Sequence, residues 1–511
     1  MKTVFVLFDS LNRLMLSPYG GTRVPTPNFD RLAARSATFD SHYVGSMPCM
    51  PARRDMMTGR LSFLHRSWGP LEPFDNAFPE ILAREKGVYS HLVTDHFHYW
   101  EDGGATYHNR YDSYDFIRGQ EGDPWKAMVQ PHWERLREKY DEAQLSTERR
   151  SYKRQNVVNR EFIREEKDFP SVQVFDAGIN FIEQNSGADD WLLQIETFDP
   201  HEPFHAPSSF KAPYDTGWKG PIRDWPRYGR VDELPEECEE LRANYYATVA
   251  LCDALLGRLL DTFDRHGLWK DTLLVVTTDH GFLLGEHDFW AKNRMNIYEE
   301  IAHIPLFVHD PRCPASHGTH LDGLTQSADL AATFLDAYGQ EQPSEMQAFS
   351  VLPMLEGAKS QRQAVLYGYF GGAVNICDGR YTYHLYPPDL KNQDIYQYTL
   401  MPTHIFDFFR PEELQLAELS PPTPFSKGSP LLRVPVSERS AMYDTYGPGA
   451  LLEDDTRLYD LSTDPGQEHP LNDSAEAARL SRMMAGIMVD LDAPPEAFAR
   501  LSLGPTDRAA E

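Results

Sequence analysis

Short apolar runs alternate with amphipathic stretches over the first 120 residues. Val4–Phe8 is apolar at every position and reads as a strand buried on both faces. Thr26-Pro27-Asn28 opens a helix, with Pro27 in its first turn and Phe29, Leu32 and Ala33 on one side. Pro79–Glu85 reads as a further helix and His91–Thr94 as another short strand. This rhythm predicts a mostly parallel sheet with helices on both faces. It breaks from about residue 120 to 170, a highly charged stretch in which Trp133, Leu136, Tyr140 and Leu145 fall at loose helical spacing. That stretch predicts a helical insertion. Its basic run Arg149, Arg150, Lys153, Arg154 reads first as a solvated face.

The βα rhythm returns at Val172. Phe175, Ile179 and Ile182 mark a helix, Trp191–Glu196 a strand, Glu236 to Phe263 a long helix and Leu273–Thr277 a strand. Asp329–Tyr338 reads as a helix ended by Gly339. Beyond residue 360 the pattern changes. Gln363–Gly368, Val374–Asp378 and Tyr381–Leu385 predict short antiparallel strands with a turn at Asp378-Gly379. Residues 387–450, rich in Pro and aromatics, read as a long excursion. The expected division is a large α/β domain over 1–360 and a C-terminal subdomain over 361–511.

Composition narrows the function classes. Of 511 residues, 41% are hydrophobic and 12% aromatic, ample for a core and against disorder throughout. With 49 Lys+Arg against 77 Asp+Glu the net charge is −28, which argues against nucleic acid and anionic membrane as partners. A small anionic substrate stays open, because a local cation cluster reverses the sign inside a pocket. No apolar run reaches about 18 residues, so no membrane span is expected. The five cysteines are scattered, odd in number and without a CxxC, as in a reducing compartment. The opening apolar run is too short for an export signal, and a cytoplasmic location is the expectation.

The candidate chemistry centres on Cys49-Met50-Pro51-Ala52-Arg53, continuing to Met56-Met57-Thr58-Gly59-Arg60. This string resembles the signature of the type I sulfatases, in the alkaline phosphatase superfamily. The resemblance implies an alkaline-phosphatase-like α/β fold, hydrolysis of a sulfate ester, and oxidation of Cys49 to formylglycine by a maturation enzyme that reads the CxPxR core. A hydrated aldehyde carries two hydroxyls. One attacks sulfur from a metal ion, and the other loses its proton to collapse the adduct and expel sulfate. Arg53, one helical turn on, is expected to hold the diol oxygen and the anionic group.

Other motifs follow in the order the family uses. Asp9 ends the first strand, where sulfatases place a metal carboxylate. Thr277-Thr278-Asp279-His280-Gly281 ends another and matches their second metal pair. Gly285-Glu286-His287 leads to Phe289-Trp290-Ala291-Lys292, so Lys292 inherits a sulfate contact. His201, in Asp199-Pro200-His201-Glu202-Pro203-Phe204, matches the HxPF element and inherits the bridging oxygen, with a general-acid role. Leu458-Tyr459-Asp460-Leu461 resembles the family's C-terminal motif beside a small antiparallel sheet.

Departures from the pattern are informative. Ser10 stands where many sulfatases have a second Asp, which makes it a weak ligand at most. An Asp279-His280 pair replaces Asp-Asn, and imidazole shifts the expected ion from Ca²⁺ toward Mn²⁺. The usual GKWH lysine is absent; the chain reads Val93-Thr94-Asp95-His96-Phe97-His98-Tyr99, and His96 and His98 are its expected substitutes on one face of a strand end. These features resemble the phosphonate monoester hydrolase branch, which makes a phosphonate monoester or phosphodiester the alternative substrate. Arg66 and Trp100, with His65, Trp68, Tyr99, Tyr107, His108 and Trp290, are candidate pocket walls. A binding protein on an inactive scaffold is the reading from another class. The charge and the insertion are compatible with a homo-oligomer.

Overall fold

The computed structural model describes residues 1–504. Its centre is an eight-stranded sheet in the order His320–Leu321, Ala37–Phe39, Leu306–His309, Thr272–Thr278, Lys2–Phe8, Trp191–Thr197, Tyr89–Thr94, Ser113–Phe116. The five strands from Thr272–Thr278 to Ser113–Phe116 are parallel. Leu306–His309 runs antiparallel to both of its neighbours.

The three central strands are buried at every position, as a sheet covered on both faces requires. Alternation along Lys2–Phe8 divides the core. Val4, Val6 and Phe8 pack with Phe29, Phe175 and Leu255, from helices Pro27–Ala33, Pro170–Asn185 and Pro235–His266. Phe5 and Leu7 face the opposite layer, with Phe78, Ile81 and Phe334 from helices Phe78–Lys86 and Asp329–Ala337.

Register positions the site. Phe8 pairs with Thr197 on one side and Thr278 on the other, so Asp9 and Asp279 leave adjacent strands at one level. Thr94 and Leu7 both pair with Glu196, which brings a third strand end to the same edge. The C-terminal edge of a parallel sheet is where open α/β folds place ligands.

The small sheet holds the four antiparallel C-terminal strands expected, in the order Arg457–Asp460, Tyr381–Leu385, Val374–Cys377, Val365–Tyr369. It also has an unforeseen fifth. Ser46–Met47 joins in parallel beside Val365–Tyr369, two residues before Cys49. The nucleophile candidate is thereby tied to both sheets. Two residues do not make a strand legible by alternation; pairing across more than 300 residues makes it one.

The 120–170 stretch is less helical than expected. Its α-helices are only Trp133–Lys139 and Tyr152–Asn159, among 3₁₀ turns and loops. Leu136, Tyr140 and Val157 form its own small core. The excursion pairs Tyr396–Thr399 with Leu432–Pro435. No helix among the described residues is long and apolar enough to cross a membrane, and all five cysteines are free.

Candidate active site

Cys49 is the first residue of the helix Cys49–Thr58, where unpaired backbone N–H groups favour negative charge. Asp55, nearly two turns deeper, accepts from the Ser46 N–H at 2.6 Å and the Ser62 N–H at 3.0 Å, which clamps the helix to the strand before it and the loop after it. The Cys49 Sγ lies 3.4 Å from His280 Nε2, 3.6 Å from Lys292 Nζ and 4.0 Å from Asp9 Oδ1. Burial, then the Asp9 charge, push the thiol well above its ordinary range. As a plain cysteine it is a poor nucleophile at neutral pH.

Asp9, Cys49, Asp279 and His280 each offer a ligand-type atom within 4.8 Å of the others, all buried. Burial first, with Asp279 adding, raises Asp9 to about 7. Burial also pushes Asp279 up, but His280, Arg53 and Lys292 outweigh it and hold that carboxyl below its ordinary value. Burial lowers His280 to about 3, so its imidazole is neutral, as a ligand must be. Two carboxylates repelling each other beside a neutral imidazole fit a divalent cation, which relieves the repulsion. Gly281 is required here: a Cβ would meet the Glu300 carbonyl oxygen at 1.8 Å.

Arg53, expected to hold the diol oxygen and the anionic group, has four of its five N–H donors on protein oxygens, three carboxylates and the Cys49 carbonyl. Its Nε, Nη1 and Nη2 donate to Glu196 (2.6 Å), Asp279 (2.6 Å) and Asp9 (2.9 Å). It holds the carboxylates together. Lys292 is the cation next to the thiol; it donates to Ser10 Oγ at 2.7 Å and lies 3.8 Å from Asp9. Ser10 spends its own hydroxyl on Asp9 at 2.8 Å and its N–H on Asp279 at 3.0 Å, so it braces the ligands. Ser10, Ala291 and Asn293 all have left-handed φ, 61°, 71° and 73°. Non-glycine residues rarely adopt it, and it persists where the surroundings enforce it.

His201 turns Nδ1 toward the Glu202 carbonyl at 2.6 Å. Burial and the Lys292 charge depress it well below its ordinary value, so it is neutral in the free protein. His96 and His98 lie side by side, ring centroids 5.1 Å apart, on a 3₁₀ turn and not on the extended strand end expected. His96 Nδ1 lies 3.8 Å from Asp9, while His98 is bound to Glu101 at 2.5 Å.

The expected pocket walls divide. Trp100 stacks on Phe116 and lines a cavity of about 1210 Å³ beside the site, with Arg149, Arg150 and Lys153 of the basic run, which is thus not only a solvated face. Asp9, Cys49, Arg53, Asp279, His280 and Lys292 do not line that cavity. Arg66 is no part of it. Fully buried, it bonds Gln397 at 2.6 Å and the Met401 and Thr403 carbonyls, and pins the excursion to the large sheet's layer. Trp290 is likewise core, its N–H on Glu233. Sequence reasoning missed Glu196, whose one signal is a charge inside the strand Trp191–Thr197, Glu202, whose one signal is its place beside His201, and Glu121, which carries none.

Strand-end carboxylates, an Asp-His pair and a helix-N-terminal cysteine thus meet at one edge of this sheet in an arrangement that could hold a divalent cation. The sequence model of the Sulfatase family matches residues 2–340. The chain belongs to that family, and hydrolysis of sulfuric esters is its activity. An N-acetylglucosamine-6-O-sulfatase of Bacteroides thetaiotaomicron is 24% identical over 72% of this chain and 74% of its own. Among solved structures, one in complex with its substrate D-glucosamine-2-N,6-O-disulfate has a TM-score of 0.64 at 16% identity, covering 100% of this chain and 99% of that one. The phosphonate monoester hydrolase of Agrobacterium radiobacter gives 0.63 at 18%, over 96% and 95%. Family membership implies in general a metal ion and a formylglycine.

Proposed function

We propose that the chain cleaves a sulfate monoester at Cys49, converted to formylglycine by a dedicated maturation enzyme, over one divalent cation held by Asp9, Asp279 and His280. The observation that carries this is the convergence of His280, Lys292 and Asp9 within 3.4–4.0 Å of the Cys49 sulfur, inside the CxPxR string. When present, the cation and the hydrated aldehyde supply the nucleophile. The chain's own residues do the rest. Lys292 neutralises the arriving sulfate, in a buried site where such stabilisation acts strongly. Arg53 keeps Asp9, Asp279 and Glu196 in register. Ser10 couples Asp9 to Lys292. His201 has Nε2 free of the Glu202 carbonyl for the bridging oxygen, and a bound anion favours the charged imidazole that passes a proton to the departing alcohol. The imidazole ligand favours Mn²⁺ over Ca²⁺.

One observation favours a second substrate. The Asp279-His280 pair, with Ser10 beside Asp9, is the departure that resembles phosphonate monoester hydrolases, whose substrates also carry one negative charge. The test is kcat/KM for an aryl sulfate against the matching aryl phosphonate monoester, with the protein co-expressed with a formylglycine-generating enzyme and assayed in Mn²⁺ and in Ca²⁺. A ratio above one for sulfate is expected; strong preference for the phosphonate replaces the sulfatase reading with the other.

A further inference from the structure

Beside His201 lie two buried glutamates that this chemistry leaves unused. Glu121, His201 and Glu202 each bring a ligand-type atom within 4.8 Å of the other two. Glu121 is 7% exposed and Glu202 1%. Glu202 Oε1 accepts from the Tyr228 hydroxyl at 2.5 Å. Of the other three oxygens, Glu121 Oε2 and Glu202 Oε2 have no hydrogen-bond partner among the described residues, although His201 Nδ1 lies 3.3 Å from Glu202 Oε2 and the Gly122 N–H reaches the Glu121 carboxylate. A buried acceptor without a donor is costly, and a buried negative charge more so. Burial pushes both carboxyls up, and the Glu202 charge raises Glu121 further. Lys292 offsets both, but it also serves Asp9 and Cys49. Glu121 has a left-handed φ of 42°, rare for such a side chain, and Gly122 after it is pressed against the Tyr152 ring.

Location narrows the missing group. His201 is the residue placed at the bridging oxygen, so the two glutamates sit on the leaving-group side. Tyr228, which holds Glu202, lines the large cavity, as do Glu101 and Gly122. The first atoms of the alcohol beyond its ester oxygen therefore face this pair. A neutral hydroxyl brings a donor without charge; a quaternary ammonium brings charge without a donor. A protonated primary amine brings three donors on one compact charge. A divalent ion would take His201 as ligand and away from the bridging oxygen.

We propose that Glu121 and Glu202 form a subsite for a protonated amine carried by the alcohol close to the sulfated oxygen, so that the substrates are sulfate esters of amino alcohols or amino sugars. The proposal rests on the sulfatase reading. The test compares kcat/KM for 2-aminoethyl sulfate and its uncharged isostere n-propyl sulfate in matured wild-type protein and in Glu121→Gln. Metal content and thermal melting are measured on both proteins, and 4-nitrophenyl sulfate is assayed in parallel. Wild type is expected to favour the amine at least tenfold, and Glu121→Gln to lose most of that ratio while melting as a folded protein. Turnover of 4-nitrophenyl sulfate without amine preference overturns the subsite and leaves the sulfatase reading standing. A second metal equivalent that vanishes in Glu121→Gln assigns the pair to a metal and overturns it too. No turnover of any sulfate ester removes the sulfatase reading and the subsite with it. If Glu121→Gln does not fold, Glu202→Gln, which removes the other carboxylate of the pair, must lower the same ratio, and an unchanged ratio refutes the proposal.

Discussion

Two groups of buried carboxylates flank Lys292, and they are built differently. Asp9, Glu196 and Asp279 share one guanidinium, with each Arg53 nitrogen on a different carboxylate at 2.6–2.9 Å. Glu121 and Glu202 have a tyrosine hydroxyl on one oxygen and no arginine among their hydrogen bonds. The first group is organised before anything binds. The second keeps acceptors open. A buried charge stabilised from within belongs to the scaffold; one left uncompensated points to what arrives from outside.

The largest expected effect leaves both groups in place. Cys49→Ala in matured protein should lower kcat by roughly 10⁴- to 10⁶-fold with an unchanged melting curve. Retained turnover would show that neither group serves that position. Arg53→Ala attacks the first group alone. Three buried carboxylates lose their cation, and urea unfolding should show a loss of roughly 3–5 kcal/mol, partly recovered by saturating Mn²⁺. Lys292→Met touches both groups and removes the charge beside the reacting atom; kcat should fall roughly 10²- to 10³-fold.

A matched pair sharpens the contrast further. Glu196→Gln breaks an ion pair and should cost roughly 1–3 kcal/mol by denaturant midpoint. Glu121→Gln removes a buried charge that no arginine pairs and should leave stability unchanged or raise it by roughly 1 kcal/mol. Equal losses would erase the distinction. A separate effect is one of pH. Asp55 is held by N–H and O–H donors and no cation, and burial raises it to about 7 from 3.8 despite them. The folded protein binds that proton more tightly than the unfolded chain. Its contribution is full below 3.8 and is lost as pH rises through about 7. Unfolding free energy measured over that window should decline, and decline less in Asp55→Asn.

How legible each part was follows from where its information lies. Cys49 and Arg53 were reached through a string that resembles a family's signature, and Asp9 and Asp279 through strand ends where that family places metal carboxylates. Lys292 and His201 were reached through strings that resemble a family. Arg66 misled: its nearness in sequence to the Cys49 string says nothing about its donors, which are spent on carbonyls more than 300 residues away. Glu196 lies opposite Leu7 and Thr94 only because three strands align in one register.

Local patterning, then, determined the elements and the parallel sheet, since apolar periodicity acts over a few residues, while the candidate nucleophile and metal ligands came from strings that resemble a family. Tertiary structure alone decided that Ser46–Met47 ties the chain just before Cys49 to the small sheet, that Arg53 binds carboxylates, and that Glu121 meets Glu202 across 81 residues with an oxygen of each lacking a hydrogen-bond partner among the described residues. Those outcomes depend on strand register and on which buried charges end up sharing a cation. No short stretch of the chain encodes either one.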